Sequence, residues 1–184
     1  MKRYSTIHRI LCLSLFIAIA PGMARAENGC TLFFGGTGTR TGNADFDQRW
    51  ITINETVSEA AIQKLSELHY RIESSFTQAS ESQDSFEELY ETLRQKQCGQ
   101  VLQLSHELAL PSKPGGVPRL TLKVLVFHLD PTADARSAKT IGEYERNYPF
   151  ELTKEVMENL SLSAVGQTIA QHVDEAKVLA ARAP

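Results

Sequence analysis

Two side chains in the second half of the chain have residue types and a spacing that could support chemistry. His128 and Asp130 lie two residues apart at the end of an apolar run, so on an extended strand both would project from the same face. A carboxylate beside an imidazole can orient the ring for acid–base work or for binding a metal ion. Either role requires a third group, and the sequence does not identify one. The preferred interpretation is therefore a strand-terminating Asp130 beside a histidine at the rim of the sheet.

The other candidate motifs lack residues that their chemistry needs. Gly35–Gly42 has no lysine where a phosphate-binding loop requires one, and residues 43–47 show no evident helix start that could face a phosphate, so we expect a plain turn. His106 and Glu107 begin an HExxH pattern, but Leu110 occupies the position of the second histidine. His106 is instead expected to be a structural residue on an apolar strand face. The sequence thus predicts no catalytic residue, no cofactor and no metal ligand.

The N-terminal segment has the three parts of a secretory signal peptide. Basic residues are followed by an apolar run from Ile10 to Ala20, and Ala24 and Ala26 occupy the −3 and −1 positions of a signal peptidase site. The run is well short of the ~20 residues of a spanning helix, so no transmembrane anchor is predicted. We expect cleavage after Ala26 and export to the periplasm or beyond the cell. The alternative is a buried N-terminal helix.

The charge of residues 27–184 argues against one class of partner, nucleic acid. Residues 27–184 have 15 Lys and Arg against 22 Asp and Glu, a formal charge of −7. An acidic surface repels phosphate backbones, so nucleic acid is not an expected partner. The length of this part suits one domain with a real core, and no linker or internal repeat divides it.

Cys30 and Cys98 are the two cysteines that follow the predicted cleavage site. In an oxidising compartment such a pair is predicted to form a disulfide bond. Closing a loop of this length stabilises a fold by roughly 4 kcal/mol in the chain-entropy model. A reactive thiol or a metal pair is the alternative, but no CxxC motif or histidine cluster accompanies these residues.

The spacing of apolar residues predicts an α/β fold with one mixed sheet. Helical crossovers impose parallel pairing in the first half, short connections allow an antiparallel meander in the second, and an amphipathic helix ends the chain. Residues 31–34 form a short apolar run. The strands predicted after it are Arg49–Asn54, Tyr70–Phe76, Val101–Leu110, Arg119–Leu129 and Ile141–Phe150. The predicted helices begin at Thr56 or Ser58, at Asp84, near Thr153 and at Ser161, and the second ends at Cys98-Gly99.

This element order resembles two kinds of small periplasmic α/β domain. They are the N-terminal domain of the Tol-system propeller protein and the auxiliary lipoproteins of envelope lipid transporters. The resemblance covers roughly Arg49 to Ala181 and rests on element order, without a diagnostic motif. The chain also has no lipid-anchoring cysteine. The resemblance implies a non-catalytic envelope component that works through contacts with partners.

The leading functional hypothesis is a periplasmic, non-enzymatic accessory protein that binds a protein or another envelope component. Loops on a rigid sheet often carry binding, so Thr77–Gln83 and Pro111–Pro118 are the candidate contact segments. One alternative is an exported inhibitor or immunity-type protein whose loops plug another protein's active site. The other is a small hydrolase or metal-dependent enzyme that uses His128 and Asp130.

Overall fold

The computed structural model describes residues 29–77, 83–129 and 141–179. The predicted signal peptide, Asp130 and most of the Thr77–Gln83 loop lie outside these ranges. In chain order the elements are β1 (Cys30–Gly38), α1 (Ala44–Glu67), β2 (Arg71–Phe76), α2 (Gln83–Lys96), β3 (Gln100–Ala109), β4 (Arg119–His128), β5 (Ile141–Glu151), α3 (Lys154–Asn159) and α4 (Leu162–Ala176).

The five strands form one sheet in the order β2-β1-β3-β4-β5. β1 pairs in parallel with both β2 and β3, because α1 and α2 carry the chain back to the end where each new strand begins. β3, β4 and β5 pair antiparallel with one another. This arrangement confirms the predicted mixed sheet, with helical crossovers in its first half and a meander in its second.

The two crossover helices lie on opposite faces of the sheet. The chain moves from β1 to β2 in one direction and from β2 to β3 in the other, so right-handed connections place α1 and α2 on different sides. Side chains of β1 show the division, because Phe33 packs in the core under α1 and α4 while Leu32 and Phe34 pack under α2. We call these surfaces the α1/α4 face and the α2 face.

The predicted disulfide is present on the α2 face. Cys30 begins β1 and Cys98 precedes the adjacent strand β3, and their Cα atoms are 4.9 Å apart. Both residues are buried with the side chains of α2. The residue with left-handed backbone at the end of α2 is Gln97, with φ of 55°, and not the predicted Gly99.

The predicted strand at Arg49–Asn54 is wrong, because these residues lie inside α1. Trp50, Val57, Ala61 and Leu65 recur at helical spacing and are all buried in the core of the α1/α4 face. Burying this stripe outweighs the preference of β-branched residues for strands. The predicted helix start at Thr56 is therefore wrong as well, and the Thr56 hydroxyl donates to the Thr52 carbonyl within the helix at 2.8 Å.

The last helix, α4, confirms the predicted C-terminal amphipathic helix. Ser161 caps it by accepting a hydrogen bond from the backbone N–H of Ala164, and Ile169, Ala170 and Val173 are buried against the sheet and α1. Across the described ranges, no helix has the length and apolar character needed to cross a membrane.

Candidate functional site

The structure places His128 in a row of polar side chains that crosses three strands. His128 ends β4 and lies opposite Gln100 at the start of β3, and Gln100 in turn lies opposite Thr31 of β1. Directly opposite residues of paired strands share a face, and this row lies on the α1/α4 face, beside the end of α4. Gln100 is buried at 2 % exposure, whereas the His128 side chain is about half exposed.

Hydrogen bonds connect this row to the two neighbouring segments. The Thr31 hydroxyl donates to Gln100 Oε1 at 2.8 Å. The Gln100 amide nitrogen donates to the Val178 carbonyl at 2.7 Å and to Glu143 Oε2 at 3.3 Å. His128 Nε2 lies 3.1 Å from Glu143 Oε1. The cluster therefore ties the starts of β3 and β5 to the chain that follows α4.

The contacts of His128 restrict what its ring can do. Nδ1 lies 3.1 Å from the Gly99 carbonyl oxygen, and Nε2 lies 3.1 Å from the Glu143 carboxylate, so each ring nitrogen faces an acceptor. Gln100 Nε2 also lies 3.5 Å from His128 Nε2, so both ring nitrogens are within hydrogen-bond distance of protein atoms. The geometry thus favours a structural contact over acid–base work.

The partner that the sequence did not identify for His128 is Glu143. Val126 pairs with Tyr144 and Phe127 pairs with Gly142, so Glu143 is one extra residue in β5, a β-bulge. Simple alternation predicts that Glu143 points away from the α1/α4 face. The bulge breaks this alternation, which brings the carboxylate to His128. No local pattern marks the bulge, because it depends on how β5 pairs with β4.

Asp130 lies outside the described residues, so its pairing with His128 stays a prediction. Among the side chains that the structure describes, no three His, Cys, Asp or Glu residues converge as they would to hold a metal ion. The described part of the cluster therefore supplies one imidazole and one carboxylate that are bound to each other.

Glu143 also lies between two surface depressions. An open, polar depression of about 550 Å³ is lined by Gln100, His128 and Glu143 and by residues 177–179, which follow α4. A second, more apolar depression of about 430 Å³ lies on the other side and is lined by Phe86, Leu125 and Phe127. The second depression has no counterpart in the sequence prediction, because its walls come from α2, β4 and β5.

The glycine-rich stretch is partly strand, which corrects the predicted turn. Gly35–Gly38 belong to β1, and α1 begins at Ala44, although residues 43–47 showed no evident helix start. The arrangement still does not suit a phosphate. The Asp47 carboxylate accepts hydrogen bonds from the backbone N–H of Thr41 at 2.8 Å and of Gly42 at 3.2 Å. These hydrogen bonds lower the pKa of Asp47, so a fixed negative charge occupies the place that an anion would need.

The hairpin loop between β3 and β4, residues 110–118, is held by a tight turn. Gly116 N–H donates to the Lys113 carbonyl at 3.1 Å, and Gly115 has φ of 78°. A type II turn has glycine with positive φ at its third position and commonly proline at its second. Gly115 and Pro114 occupy these two positions. The alternation that includes Leu104 and Leu108 predicts that Leu110 lies on the same buried face of β3, and this prediction is wrong. Leu110 follows the strand and is 65 % exposed.

The other histidines that the structure describes lie at positions where they contact the fold or form a turn. His106 is buried at 2 % exposure on β3, as its apolar face predicts, and Gly38 gives its ring room because a Cβ there would lie 2.3 Å from His106 Nδ1. His172 Nδ1 lies 3.0 Å from the Tyr148 hydroxyl. His69 has left-handed backbone in the turn after α1.

Comparison with known proteins identifies no family for this chain. The chain matches no protein-family model and no curated protein. The resemblance to Tol-system and lipoprotein domains therefore stays a prediction, and a functional assignment rests on the residues and geometry described above.

Proposed function

We propose that this protein is an exported, non-enzymatic accessory protein that binds a protein partner through the loop 110–118. The pattern of residues 1–26 supports export, and the periplasm is the proposed location. The Cys30–Cys98 disulfide supports the same compartment, because such bonds persist where the environment is oxidising.

The observation that carries the proposal is the exposure of two large apolar side chains on an ordered loop. Leu110 is 65 % exposed and Val117 is 46 % exposed, and they lie near the two ends of the loop. The Pro114–Gly115 turn and the pairing of Ala109 with Arg119 fix the loop at its tip and its base. A loop that is already ordered loses little conformational entropy on binding, which favours affinity.

The same loop supports the inhibitor alternative. A narrow, convex segment that a proline turn holds in place fits a concave cleft better than it fits a flat surface. An inhibitor should form a one-to-one complex with a single enzyme and reduce its activity. A scaffold component should instead be recovered in a larger assembly. Stoichiometry of the captured complex separates these two roles.

The test is site-specific photo-crosslinking in cells. A photoreactive amino acid replaces Leu110 or Val117 in the tagged, exported protein, and captured products are identified by mass spectrometry. The control is the same amino acid at Ser66, an exposed position at the end of α1, at the other end of the sheet from the loop. We expect one dominant partner from the loop positions and not from Ser66. Equal products from all three positions, or none, would overturn the proposal.

Two variants extend the test. Leu110→Asp with Val117→Asp should weaken capture roughly 30-fold, since two apolar side chains central to an interface that contribute about 1 kcal/mol each give about 2 kcal/mol together. Both positions are exposed, so the stability of the fold should change by no more than about 0.5 kcal/mol. His128→Ala should leave capture unchanged. An enzyme that uses His128 and Asp130 would instead lose activity with this substitution.

A further inference from the structure

The depression on the α2 face lies where Phe86 of α2 and Leu125 of β4 are only partly buried. α2 packs on β1, and its residue Phe86 forms one wall of the depression. Leu125 and Phe127 of β4 form the apolar floor, and β5 closes the far side at the Glu143 bulge. The volume of about 430 Å³ falls within the range of small-ligand sites, which are mostly apolar with a few polar groups.

The polar groups of this pocket include hydrogen-bond acceptors. Gln103 donates one amide hydrogen to the Thr37 hydroxyl at 3.2 Å, and its side-chain carbonyl can accept from a ligand. Glu145 contributes a carboxylate at the rim, whereas the carboxylate of Glu143, which also lines the pocket, is already bound to His128 and Gln100. Tyr144 also borders the pocket, but its hydroxyl is buried and its ring packs with the core of the α1/α4 face.

Among the described residues, no basic side chain balances the charge at the rim. Of the residues described, those that line the pocket include no Lys, Arg or His, and Glu145 makes no ion pair within the described ranges. Basic side chains near this face have other contacts. Lys123 pairs with Glu107 and Arg94 stacks over the Tyr90 ring. An apolar floor beneath acceptors and carboxylates complements a ligand with an apolar body and a positively charged donor.

We propose that this pocket binds a small organic cation, an ammonium or guanidinium group attached to an alkyl or aromatic body. The charged group lies against Glu145 and accepts no hydrogen bond, so it matches a lining made of acceptors. The apolar body covers Leu125 and Phe127, and the Phe86 ring adds an aromatic face that attracts cations. This site is independent of the loop 110–118, which lies at the opposite end of β4.

The test is an NMR titration of the exported protein with n-octylammonium below its micelle-forming concentration. n-Octanoate, which has a similar alkyl chain and the opposite charge, is the control ligand. We expect saturable shifts of the backbone amides of Phe86, Leu125, Phe127 and Glu145 with the amine and none with the carboxylate. No saturable shift with the amine, or equal shifts with both ligands, would overturn the proposal.

Two pairs of variants locate the binding. Glu145→Gln removes one rim charge and should weaken binding roughly 2–5-fold, the range of an exposed ion pair. Glu151→Gln makes the same change elsewhere on β5 and should have no effect. Leu125→Trp should fill the pocket and abolish binding, whereas Thr121→Trp, on the same face of β4, should not. Binding that survives Leu125→Trp would place the ligand elsewhere and refute the assignment.

Discussion

The buried side chain of Asn54, on α1, forms hydrogen bonds with two backbone groups where the pairing of β1 and β3 is irregular. Between β1 and β3, Gly35 and Gly36 lie opposite the one residue Leu104, so the regular ladder is interrupted. Asn54 Oδ1 accepts from the Gly36 N–H at 2.9 Å, and its Nδ2 donates to the Leu104 carbonyl at 3.3 Å. Oδ1 also accepts from the Ser58 hydroxyl at 3.2 Å. Asn54 is fully buried, so water cannot take its place easily.

Replacing Asn54 with Ala should destabilise the fold by about 2–5 kcal/mol. The substitution removes the partners of two buried backbone groups, and an unsatisfied buried group costs about 1–3 kcal/mol. Such a loss is a large share of the ~5–15 kcal/mol by which a typical domain is stable. Urea denaturation, followed by circular dichroism, measures it as a lower midpoint. Asn147→Ala, at an exposed position of β5, is the matched control and should change stability by less than about 0.5 kcal/mol.

Asn54→Asp separates the role of the acceptor from that of the donor. Aspartate keeps an oxygen for Gly36 but, when ionised, turns a second oxygen toward the Leu104 carbonyl. Burial and this repulsion raise the pKa of the new carboxyl above the value of about 3.9 that it has in the unfolded chain. The folded state then holds the proton more tightly, so the variant should lose stability as pH rises above about 4. Below that pH, the protonated carboxyl can donate to Leu104.

Two outcomes would contradict this role of Asn54. If Asn54→Ala lowers the free energy of unfolding by less than about 1 kcal/mol, water or a backbone shift satisfies the two groups and the role assigned to the side chain is wrong. If the stability difference between Asn54→Asp and the unsubstituted protein does not change between pH 4 and pH 7, the carboxyl is not buried against the carbonyl.

Three further predictions concern the rest of the fold. Gly166→Val should destabilise by at least about 1–3 kcal/mol in thermal denaturation, because a Cβ there would lie 2.3 Å from the Val57 carbonyl oxygen where α4 crosses α1. Replacing Cys30 and Cys98 with Ala should cost about 2–5 kcal/mol in urea, with no further loss on adding reductant. Burial raises the pKa of Tyr148, so the contribution of its neutral side chain to stability is fully present below about pH 10 and is lost as pH rises further. Tyr148→Phe should flatten this loss of stability in alkaline denaturation.

Each of these predictions has a control. Ser163→Val adds the same side chain to α4 at an exposed position and should cost far less than Gly166→Val. A similar loss from both would mean that helix propensity, not the approach to α1, explains the effect. Reductant should destabilise the protein that retains Cys30 and Cys98. If Tyr148→Phe has the same alkaline profile as the unsubstituted protein, another group governs that pH range.

The fold class follows from local patterns, whereas the assignment of residues 49–54 to helix or strand depends on tertiary contacts. Alternating apolar residues located β3, a run that is apolar on both faces located β4, and the order of helices and short connections predicted which strands pair in parallel. Residues 49–54 were misassigned because their β-branched and aromatic types favour a strand in isolation. Trp50 is buried only because the helix stripe that it begins lies against the sheet.

The candidate sites were predictable only in part, for a similar reason. The residue type and strand-end position of His128 identified it as a polar group at the rim of the sheet. Its partners Gln100 and Glu143 lie 28 and 15 residues away in the chain, and they reach it through strand register and a bulge. The loop 110–118 was recognisable from its proline and glycine content, but the exposure of Leu110 depended on where β3 ends.

The sequence by itself determined the alternation of elements, the disulfide pair and the turn at Pro114, because these depend on residue type and on spacing along the chain. Tertiary structure decided the long-range contacts. Only the pairing of β1 with β3 places Asn54 under a bulge, and only the pairing of β4 with β5 brings Glu143 to His128. Local propensity acts over a few residues, whereas register is a property of two strands at once. A bulge in one strand therefore changes which side chains meet, and in β5 no local pattern predicts it.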